Sequence, residues 1–446
     1  MQNIFKINFF FSIIFISKKW IIKSNKNESE RDFFLQNNMK EIVNEPILPI
    51  NTKDFAIKKY HISKYNLSHP RYHFQHEYNK RKVFKINYSY YPYLMLSKKI
   101  SYQENAMHIY DSTGMLNITK FEYYYLKNYN DINAFDFNQI HVTMAFGKIY
   151  SDISLVSIAS ILNASSSETY IHFHILALDF TFDEIKKIID LRKINNKVDF
   201  VFYNAKQVEY DFEMAKNDRR GFGNLAKILS PQIINNTNKV IILDSGDIIA
   251  QKDLSEVFFY DIGDNYFGWM LEVCAGYYIK YDDKFMTNNF HPNAGVVLVN
   301  IRLFRQDELY KKAVFVAKSY HSFECPVQEI LITITNYKFA YIPLNFNVNL
   351  YYEHGDDVIN RRNITSIWSW LNYQRFSPHK YEFDEFVDAM TDPVVNHYYI
   401  GKMQEIKRCN KQLLQWLKYV NLTGRYNEIK EKYPDTFECE TIFGLN

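Results

Sequence analysis

A chain of 446 residues, 47% of them hydrophobic, is long enough for one large core with appendages or for two to three domains. Its formal charge of +3 gives no basic footprint, which excludes a nucleic-acid partner on electrostatic grounds. Four cysteines, at positions 274, 325, 409 and 439, form no Cys-x-x-Cys pair, which argues against a structural zinc site and a dense disulfide framework.

The first element is an apolar run from Ile7 to Ile16, preceded by Lys6 and followed by Lys18-Lys19. It is shorter than the roughly 20 apolar residues of a spanning helix, and no small-x-small cleavage site follows it. Residues 1–22 therefore carry two readings, a short signal-anchor or a chance Phe/Ile-rich segment. The anchor reading implies a type II membrane protein of the Golgi or endomembranes, and the other a cytoplasmic one. Sequons at Asn66, Asn87, Asn117, Asn163, Asn363 and Asn421 add little, because an Asn-rich chain produces them by chance. Residues 23–137 are polar and without clear periodicity, and read as a stem or irregular cap. The spacing of His61, His69, His73 and His76, broken by Pro70, does not put two ligands on one helix face.

From residue 138 the pattern turns regular. Strands are predicted at 140–146, 170–177, 198–203, 239–243, 266–273 and 295–300. Helices are predicted from near Tyr150 to 162, over 182–194, over 225–234 around Pro231, and at 302–319, 327–335 and 404–420. Alternating strands and helices imply βαβ units and an α/β domain with a mostly parallel central sheet over 138–403. A helical C-terminal tail follows at 404–446.

The strand at 239–243 ends in Asp244-Ser245-Gly246-Asp247. A buried strand that delivers carboxylates to its C-terminal end is how open α/β sheets build ligand sites. Paired Asp oxygens suit a hard divalent cation, which commonly shares its coordination with phosphate. The pattern points to a metal–diphosphate site and a nucleotide-activated substrate. Against it stands a plain turn, since Ser-Gly is turn chemistry.

Further landmarks carry a resemblance. Tyr150 and Ser160 fall in the first strand–helix unit, and Lys227 lies four residues before Pro231. Asp253-Leu254-Ser255-Glu256 follows the acidic motif. Asn293-Ala294-Gly295-Val296 opens a strand, and Gln328-Glu329-Ile330-Leu331 lies on a helix. Asn396-His397-Tyr398-Tyr399-Ile400-Gly401-Lys402 closes the series. In this order and spacing, from about 140 to about 402, the chain resembles glycosyltransferase family 8, the retaining enzymes of GT-A fold that include glycogenin and bacterial lipopolysaccharide galactosyl- and glucosyltransferases. The resemblance implies a Rossmann-like nucleotide-diphospho-sugar transferase domain. It implies Mn²⁺, or Mg²⁺, held by Asp244, Asp247 and His397, and a donor, most naturally a UDP-sugar, contacted by Tyr150, Asn293, Ala294, Gly295, Gly401 and Lys402. Lys227 and Gln328 take the catalytic positions, the first beside the diphosphate and the second beside the sugar. The acceptor would be a glycan, lipid or protein hydroxyl.

The chain departs from the family pattern in several places. Gly147 stands where an acidic residue is usual, and the acidic motif has one extra residue. Val327 replaces an Asp. The closing motif lacks Lys-Pro-Trp and sets Gly401 one residue further from His397. Gly246 would let the backbone bulge so that Asp247 still faces a cation. Two readings from other classes stand beside the transferase. One is a GT-A-like binding protein without catalysis. The other is a metal-dependent nucleotidyltransferase or phosphatase, against which no phosphate-binding glycine loop is found.

Overall fold

Nine-residue runs of β-branched and aromatic side chains, buried on both faces, can only be satisfied inside a sheet covered by helices. The computed structural model describes residues 127–129, 132, 134–205, 207–213, 221–271, 292–319, 325–335, 338–349, 381–398 and 411–442. The hydrophobic segment 1–22, the four upstream histidines and the pair Gly401 and Lys402 lie outside these residues.

The strands are β1 (Asn138–Phe146), β2 (Thr169–Ala177), β3 (Val198–Asn204), β4 (Lys239–Leu243), β5 (Ile248–Ala250), β6 (Phe267–Leu271), β7 (Pro292–Asn300), β8 (Phe339–Tyr341), β9 (Val348–Asn349) and β10 (Val395–His397). Seven of them form one sheet in the order β3-β2-β1-β4-β7-β6-β8. All neighbours run parallel except β7, which is antiparallel to both β4 and β6. The strand that carries the acidic motif is thus the middle one of seven. A second sheet, β5-β10-β9, forms where the chain leaves β4. There β10 runs antiparallel to β5, with His397 opposite Ile248.

The helix Ser151–Ala164 follows β1 and packs against β5 and against the C-terminal helix Lys411–Leu422. The helix Gly221–Ile233 lies on β1 and β2. Pro231 sits inside it and cannot donate to the carbonyl of Lys227 four residues back. The Ser230 hydroxyl donates to that carbonyl instead, at 2.7 Å, so the helix continues through the proline. The helix Phe182–Ile189 opens with a capping box between Thr181 and Glu184, an N-terminal signal that satisfies orphan amides.

Two helical spans differ from expectation. The run predicted as one helix over 302–319 is two, Ile301–Gln306 and Leu309–Ser319. Glu308 adopts φ 51° between them, a left-handed residue that ends the first helix and turns the chain. The run over 182–194 is α-helical only to Ile189 and continues as a 3₁₀ turn, Asp190–Lys193. The tail is helical at Lys411–Leu422, Tyr426–Lys432 and Pro434–Ile442, with Trp416 fully buried. Among the described residues no helix is long and apolar enough to cross a membrane.

Candidate metal and donor site

The ladder between β4 and β7 continues one step past the end of β4, where the Asp244 amide donates to the Gly295 carbonyl at 2.9 Å. Because β7 is antiparallel, its first residues lie beside the last residues of β4. That sets Asn293-Ala294-Gly295 next to Asp244. Beyond Asp244 the backbone turns at Ser245-Gly246, with Gly246 at φ 88°, a conformation that a Cβ disfavours. A Cβ at Gly246 would also lie 2.6 Å from Ile153 Cδ1.

The helix Ser151–Ala164 holds this turn from beneath. The Gly246 amide donates to the Ser157 hydroxyl at 3.2 Å, and the Ala250 amide to the Ser160 hydroxyl at 3.0 Å. Two buried serines one helical turn apart thus fasten both ends of the segment that carries Asp247. On its other side the Asp247 carbonyl accepts from the Tyr398 amide at 2.8 Å. This backbone bond brings β10, and with it His397, back to the acidic turn.

Asp244, Asp247 and His397 each present a ligand-type atom, and the three atoms lie within 4.8 Å of one another. Two carboxylate oxygens and an imidazole nitrogen are a donor set for a hard or borderline divalent cation. His397 Nε2 stands 3.4 Å from Asp244 Oδ2. Lys227 is ion-paired with Asp244 Oδ1 and is only 4% exposed.

The imidazole is oriented by two asparagines. The Asn293 side-chain oxygen accepts from the Gly295 amide and from Asn347 Nδ2, both at 2.8 Å. The Asn347 oxygen is thereby left to face His397 Nδ1 at 3.1 Å. This polarity assigns the proton to Nδ1 and leaves the Nε2 lone pair facing the carboxylates, the tautomer a metal ligand needs. The ring packs directly on the β7 backbone: a Cβ at Gly295 would lie 2.2 Å from His397 Cε1 and 2.3 Å from Nδ1.

The remaining expected residues are distributed around this centre. Asn293 is buried, and its oxygen is committed to Gly295 and Asn347. Ala294 is buried on β7. Gln328 is half-buried in the first turn of the helix Pro326–Thr335. That helix packs on β7 and on the helix bearing Lys227, but among the described residues no contact joins the Gln328 side chain to the three ligand groups. Tyr150 is half-buried and ends the 3₁₀ turn Lys148–Tyr150. At the same corner, Asp179 comes in from the end of β2. Its carboxylate accepts from the Lys148 amide at 2.5 Å, and a Cβ at Gly147 would lie 2.9 Å from its Oδ1. The acid absent at position 147 is thus met by an acid from the next strand.

Asn347, Ser157 and Asp179 escaped the sequence reading. Only Asp179 had a legible signal, the glycine standing where a carboxylate is usual.

No curated protein sequence matches the chain. Among solved structures, the apo bifunctional glycosyltransferase WbbM superposes with a TM-score of 0.52 at 16% identity, over 66% of this chain and 51% of that one. The chain therefore spans about half of WbbM. An active-site mutant of LgtC superposes with a TM-score of 0.50 at 19% identity, over 64% of this chain and 95% of that one. The galactosyltransferase LgtC in complex with donor and acceptor sugar analogues gives 0.49 at the same identity and coverage. At these identities the first two superpositions speak for the fold alone, a mixed α/β domain of GT-A type. The sequence model described as "Glycosyl transferase family 8" matches residues 141–403, a span that runs from β1 past His397 and takes in the whole acidic centre. With more than half of its length under that match, the chain belongs to glycosyl transferase family 8 and is a glycosyltransferase.

Proposed function

We propose that the protein is a metal-dependent, retaining hexosyltransferase that uses a UDP-sugar and transfers the sugar to a hydroxyl of a glycan, lipid or protein acceptor. The observation that carries this reading is the convergence of Asp244, Asp247 and His397 within 4.8 Å, at the end of the central strand and beside a buried lysine. The donor set fits a divalent cation, and His397 is already held in the ligating tautomer. Mn²⁺ or Mg²⁺ held by these three residues would act as a Lewis acid on the diphosphate leaving group.

The chain's own residues supply the rest. Asp244 and Asp247 bring the negative charge that anchors a cation. Asn347 and Asn293 hold the imidazole ring in place. Lys227 provides a buried positive charge where leaving-group charge develops. Gln328, on a helix packed against β7, is a poor nucleophile. It suits orienting the sugar better than forming a covalent intermediate. The acceptor oxygen then bonds to the anomeric carbon on the face that the phosphate leaves, and its proton passes to the departing phosphate oxygen. Configuration is thereby retained. By the family resemblance, Gly401, Lys402 and Tyr150 would contact the donor. Residues 1–22 remain as a proposed membrane tether.

The test is a screen of UDP-sugars for turnover with and without Mn²⁺, using wild type, Asp244→Asn and Asp247→Asn. Metal-dependent turnover lost in both variants supports the reading. Full activity in Asp244→Asn rejects the metal site. Binding of UDP-sugar with no turnover on any acceptor or water would instead favour a sugar-nucleotide-binding protein.

A further inference from the structure

The carboxylate best placed to be the first metal ligand is already engaged on both oxygens. Oδ1 of Asp244 is ion-paired with Lys227, and Oδ2 faces His397 Nε2 at 3.4 Å. Lys227 is no surface residue that drifts into contact. It is 4% exposed and rises from a helix whose proline break is closed beneath it by the Ser230 hydroxyl on its own carbonyl. A buried ammonium needs a counter-charge, and Asp244, which Lys227 pairs with, is the same group a divalent cation would need.

We propose that Lys227 is the resident counter-cation of this site and that it competes with the divalent cation for Asp244 until a nucleotide diphosphate draws its ammonium away. The inference rests on the metal and nucleotide-sugar reading above and adds an order to it. Without diphosphate, an incoming cation meets a like charge sharing its ligand, and its affinity is low. A diphosphate brings enough negative charge to accommodate both cations, so Lys227 turns from rival to partner. Metal and nucleotide thereby reinforce each other's binding, and the reinforcement is equal in both directions by thermodynamic linkage. The site stays largely empty of metal until donor arrives. Lys227 thus acts at two stages, first masking Asp244 and then meeting the leaving group.

The experiment is Mn²⁺ titration of the full chain by calorimetry or electron paramagnetic resonance, with and without UDP, in wild type, Lys227→Met and Lys227→Gln. In wild type, UDP should tighten Mn²⁺ binding by about 100-fold, within the range of coupled sites. Without UDP, Lys227→Met should bind Mn²⁺ about tenfold tighter than wild type, and the gain from UDP should shrink by a similar factor. Lys227→Gln keeps a hydrogen-bond donor toward Asp244 but no charge, and should behave likewise.

Equal or weaker Mn²⁺ binding by both variants without UDP overturns the competition. So does a wild type whose Mn²⁺ affinity ignores UDP, a measurement that needs no variant to fold. In those cases the metal reading survives if Asp244→Asn abolishes Mn²⁺ binding. If neither wild type nor the Lys227 variants bind Mn²⁺ with or without UDP, both readings fall together.

Discussion

Two buried polar clusters among the described residues use histidine in opposite ways. Within the span of β1 to β3, His141 Nδ1 meets His174 Nε2 at 3.0 Å, and His174 Nδ1 meets the Tyr203 hydroxyl at 2.8 Å. His141 also stacks on His172, with ring centroids 4.5 Å apart. Burial first, and the neighbouring histidines second, push His174 down to about 3 and hold His141 well below the usual imidazole value. At the C-terminal end of the sheet, His397 faces Asp244, with Asp247 and Lys227 close by. In the first cluster both ring nitrogens of His174 are spoken for. The second collects charges of both signs around His397 Nε2. Residue type alone therefore does not separate a scaffold histidine from a ligand. The partners that burial supplies do.

The comparison is broken most severely by removing charge from the second cluster. Asp244→Asn should lower metal-dependent transfer on the order of 10³-fold, because it removes a ligand charge and the counter-ion of Lys227 together. A steady-state assay under saturating donor checks this. Gly295→Ala drives a methyl into the His397 ring. It should cost on the order of 10²-fold in transfer and about 1–3 kcal/mol of stability through overpacking, read from kinetics and from denaturant unfolding of the same sample. Asn347→Ala leaves all three ligand groups in place but frees the ring. A loss of about 10–100-fold in metal affinity, with about 1–3 kcal/mol of stability lost as its buried partners are orphaned, is the expected result. Unchanged affinity would mean that packing on Gly295 alone orients the imidazole.

The first cluster is sharpened by pH. The unfolded imidazole titrates at 6.5 and folded His174 at about 3. The unfolded chain thus binds the extra proton between these values. Stability is complete above about 6.5 and falls as pH drops toward 3, with His141 adding in the same direction. Each such histidine contributes a slope of about 1.4 kcal/mol per pH unit in that window. Urea unfolding at pH 7, 6 and 5 should show His174→Gln flattening the slope by about that amount. An unchanged slope would show that the cluster does not govern acid stability.

Much of this was legible before any coordinates. The apolar run into Asp244, the strand–helix alternation and the order of the later motifs placed the acidic turn at the end of a central strand. Gly246 was expected to bulge, and its positive φ and contact with Ile153 give that expectation a physical cause. What stayed hidden depends on contacts between distant segments. Asn347 lies in Asn345-Phe346-Asn347-Val348-Asn349, where nothing local distinguishes one asparagine from another. Its meaning comes from His397 and Asn293 meeting on either side of it. Gly295 was read as a donor contact, and its missing Cβ also makes room for the imidazole. The break at Glu308 was lost because apolar spacing carries across a single left-handed residue. The histidines of β1 and β2 sat in plain view within apolar strands, but their mutual pairing follows from the register His141↔His172 and Thr143↔His174, which no local pattern encodes.

The hook by which β10 returns to the acidic turn has a consequence during synthesis. The sheet strands β1 to β4, with the turn that bears Asp244 and Asp247, leave the ribosome long before residue 397 does. Domains generally fold as units, and β4 needs β7 beside it, so the ligand set forms only once β7 and β10 have been made. A truncated or stalled product retains the carboxylates but cannot assemble the ligand set. A metal ion held, as proposed, by all three groups would therefore require a chain complete through β10.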